Sequence, residues 1–285
     1  MSSSSGWSGG SFGSRAVCVL APNASPMTLD GTNTWVLREP GAARSVVVDP
    51  GPPSAAHLDA VRAVAGDVAV VLLTHHHLDH SEAARELAES VGCGVRALDP
   101  AYRLGSEGLG PGDVVAVDGL EVHVVATPGH TADSLSFVLP AERAVLTGDT
   151  VLGRGTTVVA HPDGELGAYL SSLDRLHALA EAQEIATIWP GHGPVIADAL
   201  PALDYYVAHR QERLSQVRDA LRSLHAAARD GVPLDDDSLP RRIVEIVYAD
   251  VDPVLWPAAE LSVRAQLAYL RGQINGRDAG GARPP

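Results

Sequence analysis

Four short segments rich in His and Asp constrain the fold most, because each lies just after a run of mainly apolar residues that is typical of a strand. The segments are THHHLDH, TPGHT, TGDT and PGHG, and their ligand-competent side chains are His75, His77, Asp79, His80, His130, Asp149 and His192. In α/β proteins several strands end on one edge of a sheet, so residues distant in sequence converge there. The pattern therefore predicts a sheet protein in which these seven side chains meet.

Short apolar runs separated by Gly, Pro, Asn and Asp predict the strands, and helical spacing of apolar residues predicts the helices. We expect strands over 16–20, 34–37, 45–48, 68–73, 95–98, 114–117, 120–126, 135–139, 144–146 and 185–189. We expect helices over 55–65, 81–91, 166–179, 202–229, 241–248 and 258–274. Strands and helices thus alternate up to about residue 200, and only helices follow.

Charge supports a boundary at the same place, because the acidic excess is confined to the residues before it. We therefore expect a flexible Ser/Gly-rich tail over 1–14, a catalytic domain over 15–200, a helical appendage over 201–275 and a second flexible tail over 276–285. The start of the chain has neither the basic residues nor the apolar core of a secretory signal.

Composition excludes several classes of function. The net charge is −14, which disfavours binding of polyanions through bulk charge. All 21 basic residues are Arg, so Schiff-base chemistry on Lys and a phosphate-binding P-loop are excluded. Two Cys cannot build a disulfide framework or a Cys-rich zinc site. No apolar stretch is long enough to cross a membrane, and the cytoplasm is the expected compartment.

The seven side chains are the donor set that two divalent cations need. Imidazole suits zinc, and carboxylate tolerates zinc, iron or manganese. A shared carboxylate can hold two cations about 3.5–4 Å apart, and zinc lowers the pKa of a bound water to about 7. Two zinc ions sharing one hydroxide would therefore provide a nucleophile at neutral pH without Ser, Cys or Lys.

The four motifs, in this order and spacing, resemble those of the metallo-β-lactamase superfamily. The resemblance implies a four-layer αββα sandwich of the α+β class, with the metals at one edge of the two sheets. Carried over residue by residue, His75, His77 and His130 would hold the first metal. Asp79, His80 and His192 would hold the second, and Asp149 would bridge them. The commonest true β-lactamases of the family use a Cys at the second metal, whereas Asp79 and Asp149 stand there in this chain. The resemblance therefore disfavours antibiotic hydrolysis.

One branch of that superfamily, the β-lactamase-like protein 2 branch, is similar over a longer stretch. The similar segments are NASPMTLDGTNTWVL at residues 23–37, GDTVLGRGTTVV at residues 148–159, and the C-terminal patterns HRQERLSQVRDAL, IVEIVY and AELSVRAQLAYL. These C-terminal patterns imply a small winged-helix-like appendage. The branch includes thioesterases that act on carrier-bound polyketides and endoribonucleases that act on single strands.

We therefore expect a dinuclear zinc hydrolase that cleaves an ester or thioester of a small-molecule or carrier-bound acyl substrate, with Asp79 assisting proton transfer. Expected substrate contacts are His209, Arg210, Asn33 and Thr156. One alternative is a single-strand-specific endoribonuclease with single-stranded RNA as its partner. Another is a non-catalytic metal-binding protein. No membrane partner is expected.

Overall fold

Two mixed β-sheets pack face to face, and helices cover the outer face of each. The computed structural model describes residues 6–227 and 236–280, with the backbone alone for 227 and 274–280. The strands are β1 (Gly10–Phe12), β2 (Ala16–Leu20), β3 (Asn33–Leu37), β4 (Arg44–Val48), β5 (Asp67–Leu72), β6 (Gly94–Arg96), β7 (Val114–Val117), β8 (Leu120–Ala126), β9 (Leu135–Leu139), β10 (Ala144–Gly148) and β11 (Thr187–Pro190). The helices are α1 (Ala55–Ala65), α2 (Leu78–Ser81), α3 (Ala84–Val91), α4 (Leu166–Ala182), α5 (Ala199–Ala227), α6 (Leu239–Val247) and α7 (Trp256–Gly280).

The order and direction of the strands bring the four motifs together. The first sheet has the order β1-β2-β3-β4-β5-β6, and the second has the order β11-β10-β9-β8-β7. β4, β5 and β6 are parallel, as are β10 and β11, so helices must cross between them. β8 runs antiparallel to β9, and β9 to β10, so the ends of β8, β10 and β11 lie on the same edge. TPGHT, TGDT and PGHG follow these three ends.

Apolar residues form one layer between the sheets and one on each outer face. β3, β9 and β10 are buried along their whole length, and most of their residues are apolar. Residues of α1 and α3 pack on the outside of the first sheet. Residues of α4 and the first part of α5 pack on the outside of the second. This is the expected four-layer αββα sandwich.

Helix α5 joins the sandwich to the C-terminal helices. Leu203 and Tyr206 in its first half pack with the second sheet. Val217 in its second half packs with Ile243 of α6 and Val263 of α7. The boundary expected at residue 200 therefore falls within a continuous helix, since the two halves of α5 bury their apolar faces against different partners.

The structure corrects the flexible tail expected over residues 1–14. β1 pairs antiparallel with β2, and Phe12 lies 5.5 Å from both the Trp7 and the Trp35 ring. Aromatic burial of this kind orders a segment that its Ser/Gly content alone would leave loose. Residues 1–5 lie outside the described part of the chain.

Two further boundaries differ from expectation. In place of the helix expected over 81–91, Ser81 ends the short helix α2 and α3 begins at Ala84. Between them the N–H of Ala83 donates to the carbonyl of Gly51 at 3.2 Å. At the C-terminus, α7 extends to Gly280 instead of ending near 275. Residues 228–235 and 281–285 lie outside the described residues.

Stacked tryptophans connect the two sheets, and we expect their loss to destabilise the fold. Trp35 on β3 and Trp189 on β11 stack with ring centroids 5.1 Å apart, and Trp35 is 2% exposed. Trp35→Ala should lower the free energy of unfolding by about 3–5 kcal/mol, the usual cost of emptying an aromatic site. Urea denaturation followed by far-UV circular dichroism measures it. Val114→Ala, at a 48% exposed strand position, is the control, and equal midpoints for the two variants would contradict the expectation.

Candidate metal centre

Three imidazoles form the first group of the site. Buried strand β5 ends shortly before His75, whose Nε2 lies 3.1 Å from Nδ1 of His77. His130, in the loop after β8, brings its Nε2 to 3.0 Å from the same atom of His77. The three ring nitrogens therefore face a common point, although His130 is 53 residues from His77.

A second group combines two imidazoles with a carboxylate. Helix α2 begins just after His77 and carries Asp79 and His80, and the loop after β11 carries His192. Nε2 of His192 lies 3.2 Å from Oδ2 of Asp79 and 3.3 Å from Nε2 of His80. These donor atoms also converge on one point.

The carboxylate of Asp149 lies between the two groups. Its Oδ2 is 3.7 Å from Nε2 of His130 in the first group and 3.3 Å from Nε2 of His192 in the second. Its Oδ1 is 3.4 Å from Nε2 of His80 but accepts no hydrogen bond from any described residue. A buried carboxylate oxygen without a donor is costly, and a cation would remove that cost.

The spacing of these atoms fits divalent metal ions. Nitrogens held tetrahedrally about 2.0–2.1 Å from a zinc ion lie about 3.3 Å from one another. In each group, the donor atoms all lie within 4.8 Å of one another. Together with the unpartnered oxygen of Asp149, this spacing shows that the His and Asp clusters fit a metal site.

Backbone carbonyls orient two of the rings from behind. Nδ1 of His130 donates to the carbonyl of Val158 at 2.8 Å, and Nδ1 of His192 donates to the carbonyl of Gly31 at 3.1 Å. Each bond leaves Nε2 as the atom that faces the site. Such outer contacts fix the tautomer and orientation of a metal-binding imidazole.

Asp49, which the sequence analysis missed, anchors the THHHLDH segment. Its Oδ2 lies 2.9 Å from Nδ1 of His80 and accepts from the hydroxyl of Thr74 at 2.6 Å, while its Oδ1 accepts from the Thr74 N–H at 2.8 Å. The Thr74 hydroxyl in turn lies 3.0 Å from Nδ1 of His75. Asp49 directly follows β4, which is parallel to β5, so a carboxylate at that strand end was the available signal.

Glycine at position 191 lets the PGHG loop approach Asp149. A Cβ at this position would lie 2.5 Å from Oδ1 of Asp149 and 2.8 Å from Cε1 of His80. Any side chain would displace one of these two groups, so the glycine is a steric requirement of the site.

Burial keeps the first group of histidines neutral. It lowers the pKa of His75 well below its ordinary value, lowers that of His130, and lowers the pKa of His77 to about 4. The neighbouring imidazoles act in the same direction. These rings are therefore unprotonated near pH 7, which is the state that binds a metal.

The second group is dominated by attraction between opposite charges. Burial opposes ionisation of Asp149, but the nearby His192 and His80 outweigh it and hold the pKa of the carboxyl well below its usual range. Burial likewise opposes protonation of the two imidazoles, but Asp149 and its neighbouring carboxylates raise the pKa of both. Binding of a cation would thus displace protons from this group.

His76 contacts a carboxylate outside the two ligand groups, although its ring centroid lies 5.1 Å from that of His77. Its Nδ1 lies 2.8 Å from Oδ1 of Asp133, and its ring is 5.8 Å from Tyr102. The Asp133 carboxylate also accepts from the hydroxyl of Thr131 at 2.8 Å. His76 therefore joins the THHHLDH segment to the TPGHT loop.

A cavity of about 330 Å³ opens beside the metal centre. His130 and Asp149 lie in its wall, and so do three of the expected substrate contacts, Thr156, His209 and Arg210. The Thr156 hydroxyl lies 3.3 Å from Nε2 of His209, which links the loop after β10 to α5.

The structure corrects the expectation that Asn33 contacts substrate. Asn33 is fully buried, and its amide nitrogen donates to the carbonyls of Pro190 and Gly193 at 2.9 and 2.8 Å. Its side-chain oxygen accepts from the Trp7 indole at 2.7 Å. These bonds use the amide to hold the loop that carries His192.

No helix in the described ranges is both long and apolar enough to span a lipid bilayer.

Family models match both parts of the chain. A model of the metallo-β-lactamase superfamily matches residues 27–192, and a model of the β-lactamase-associated winged helix domain matches residues 240–273. The first match contains all seven candidate ligands, from His75 to His192, and the second covers most of α6 and α7.

Named relatives are similar over most of the chain. A Drosophila melanogaster β-lactamase-like protein 2 homolog is 30% identical, over 90% of this chain and 88% of its own. The corresponding Caenorhabditis elegans protein is 33% identical, over 72% of this chain and 70% of its own. An Aspergillus fumigatus atrochrysone carboxyl ACP thioesterase is 31% identical, over 82% of this chain and 73% of its own.

Solved structures share the fold at lower identity. A β-lactamase domain protein from Burkholderia ambifaria superposes with a TM-score of 0.73 at 22% identity, covering 93% of this chain and 88% of its own. A metallo-β-lactamase family protein from Thermus thermophilus superposes with a TM-score of 0.70 at 22% identity, covering 90% of this chain and 93% of its own. With the family matches and the converging ligands, these findings show that the chain belongs to the metallo-β-lactamase superfamily and is a metal-dependent hydrolase.

Proposed function

We propose that the chain is a dinuclear zinc hydrolase that cleaves the thioester or ester bond of a small-molecule or carrier-bound acyl group. The single observation that carries the proposal is the position of Asp149, between the two ligand groups and in the wall of the cavity. A substrate in the cavity would have its reacting bond beside both groups. The relative named as an ACP thioesterase supports a carrier-bound acyl group.

The proposed ligands follow the two groups. His75, His77 and His130 would hold one ion, Asp79, His80 and His192 the other, and Asp149 both. When bound, such ions supply Lewis acidity and lower the pKa of water.

Asp79 is the proposed proton carrier. Its side chain is 29% exposed, against 12% for Asp149, so it exchanges protons with solvent more readily. Hydrogen bonding to His192 helps hold the pKa of Asp79 below its usual value although burial opposes this, so the carboxylate is ready to accept a proton. It would take one from the attacking water and return it to the departing thiolate or alkoxide.

Thr156, His209 and Arg210 are the proposed substrate contacts, since all three lie in the cavity wall. The basic face that RNA binding would need along α5 is not continuous. Arg210 and Arg213 line the cavity, whereas Arg218 and Arg222 bond to Gln273 and Asp219. A compact acyl group suits this wall better than an extended polyanion.

Both Cys18 and Cys93 are free thiols, in keeping with the cytoplasm as the proposed compartment.

A substrate panel tests the reaction class directly. Zinc-loaded protein should cleave acyl thioesters of N-acetylcysteamine or simple lactones and leave a fluorogenic single-stranded RNA intact. Metal removal by a chelator should abolish cleavage, and zinc should restore it. Cleavage of RNA alone would reject the proposal in favour of the endoribonuclease.

Removal of the shared carboxylate should disable the enzyme. Asp149→Asn should reduce bound metal from two ions per chain and lower kcat/KM by more than about 100-fold, since loss of an outer contact alone costs about 10–100-fold. Elemental analysis and thioester assays measure the two effects. Asp59→Asn, which removes an exposed carboxylate on α1, is the matched control. Full turnover by the Asp149 variant would contradict the mechanism.

The contact behind His80 should tune metal affinity. Asp49→Asn keeps a side-chain oxygen near Thr74 but removes the charge that faces Nδ1 of His80, so zinc affinity should fall about 10–100-fold. Competition with a chromogenic chelator measures this. Asp118→Asn, which loses an exposed ion pair with Arg44, is the control and should retain full affinity. Unchanged affinity in the Asp49 variant would argue against this role.

A further inference from the structure

The wall of the cavity carries two arginines that form no ion pair with any described carboxylate. Arg210 and Arg213 both line the cavity. In the parts of the chain that the structure describes, neither forms an ion pair with an acidic side chain, in contrast to the neighbouring Arg154, which pairs with Asp30. In a chain of net charge −14, this local excess of positive charge is unusual.

Arg210 is the more deeply buried of the two. It is 6% exposed, its guanidinium lies over the Tyr169 ring at 5.0 Å, and one terminal nitrogen donates to the carbonyl of Thr157. Its Nε is buried and has no hydrogen-bond partner among the described residues. A buried cation with unused donors is costly unless an anion reaches it.

Arg213 lies on the same face of α5, since residues three apart on a helix are neighbours. Its NH1 donates to the side-chain oxygen of Gln216 at 3.0 Å and to the carbonyl of Val247 at 3.1 Å. Its guanidinium also lies over the Tyr248 ring at 4.8 Å. These contacts hold the side chain in place without neutralising it.

The arginines are connected to the metal centre through one residue. The Thr157 carbonyl accepts from Arg210, and the Thr157 hydroxyl donates to the backbone carbonyl of Asp149. An anion bound at Arg210 would therefore lie close to the reacting bond. The carrier phosphate of a phosphopantetheine arm is separated from the thioester by the whole arm, so this position suits a charge on the acyl side.

The rest of the wall is mostly apolar. Met27 and Leu29 from the loop before β3 line it, as do Val251 and Leu255 from the segment between α6 and α7 and Ala258 from the start of α7. Asp149 is the one carboxylate among the described lining residues. A ligand that fits this wall has an apolar body and an anionic oxygen group.

We propose that the cavity binds the acyl part of substrates that carry a free carboxylate on that acyl part, in addition to the thioester or ester bond that is cleaved. Arg210 and Arg213 bind this carboxylate. The inference rests on the proposed acyl hydrolysis and names its substrate class. The two arginines act as specificity-determining residues: they select an acidic acyl group, while the apolar residues bind its chain.

Matched thioesters test the selection without altering the protein. Glutaryl and hexanoyl N-acetylcysteamine have chains of similar length, but only the first ends in a carboxylate. Zinc-loaded wild-type protein should show at least about 10-fold higher kcat/KM for the glutaryl thioester, the usual value of a hydrogen-bonded charge. Equal rates for the two thioesters would overturn the inference and leave the proposed hydrolysis intact.

Variants then assign the preference to the arginines. Arg210→Gln and Arg213→Gln should each lower the ratio of kcat/KM for the glutaryl thioester to kcat/KM for the hexanoyl thioester, mainly by raising KM for the glutaryl thioester. Arg222→Gln, which alters an exposed arginine on the same helix, is the control and should keep the full preference. A preference that survives both cavity variants would overturn the assignment.

A third arm identifies the source of the anion. If the carrier phosphate occupied the arginines, hexanoyl-phosphopantetheine would be cleaved at least about 10-fold faster than hexanoyl-N-acetylcysteamine in an Arg210-dependent manner, and the glutaryl group would bring no advantage. That result would overturn the acyl-side assignment.

Binding to metal-free protein separates this inference from the proposed function. Isothermal titration should detect hexanoate but not hexanamide in the wild type, and Arg210→Gln should abolish the difference. If no thioester is cleaved, the proposed hydrolysis fails, and this titration still decides the anion site. Equal binding of the acid and the amide would overturn it.

Discussion

The buried carboxylate of Asp149 and the imidazoles of His80 and His192 stabilise one another's charged forms against the cost of burial. The carboxylate is ionised despite its burial because His80 and His192 face it, and those rings have raised pKa values because Asp149 faces them. Three neutral imidazoles complete the site on the other side. So many polar groups can be buried together only where cations or shared protons compensate them.

The packing of the two sheets brings the candidate metal ligands together at one edge of the sandwich. β8, β10 and β11 end side by side in one sheet, and β4 and β5 end side by side in the other. The stacked rings of Trp35 and Trp189 fix the two sheets against each other close to the PGHG loop. Helix α5 then extends the site by adding His209, Arg210 and Arg213 to the cavity wall. The candidate metal ligands thus lie mainly at the strand ends, and α5 adds most of the proposed substrate contacts.

Most of the strands and the ligand motifs were predictable, because short buried strands and dense His/Asp segments leave strong local patterns. Contacts that join distant segments were not. Asp49 carries no motif of its own, and its role appears only when β4 lies beside β5. Asn33 was expected to contact substrate, but its amide nitrogen donates to two carbonyls of the PGHG loop. Trp7 and Phe12 are held by aromatic contacts, with each other and with Trp35, that could not be predicted from a Ser/Gly-rich stretch.

The sequence by itself determined the class of fold, the set of candidate ligands, and the absence of lysine chemistry and of a Cys-rich zinc site, since these depend on residue types and on local periodicity. Only the tertiary structure decided which nitrogen of each ring faces the site, which carboxylate anchors His80 and which arginines line the cavity. Those properties depend on distances and burial between segments far apart in the chain. No local pattern encodes them, because they arise only when the two sheets and α5 come together.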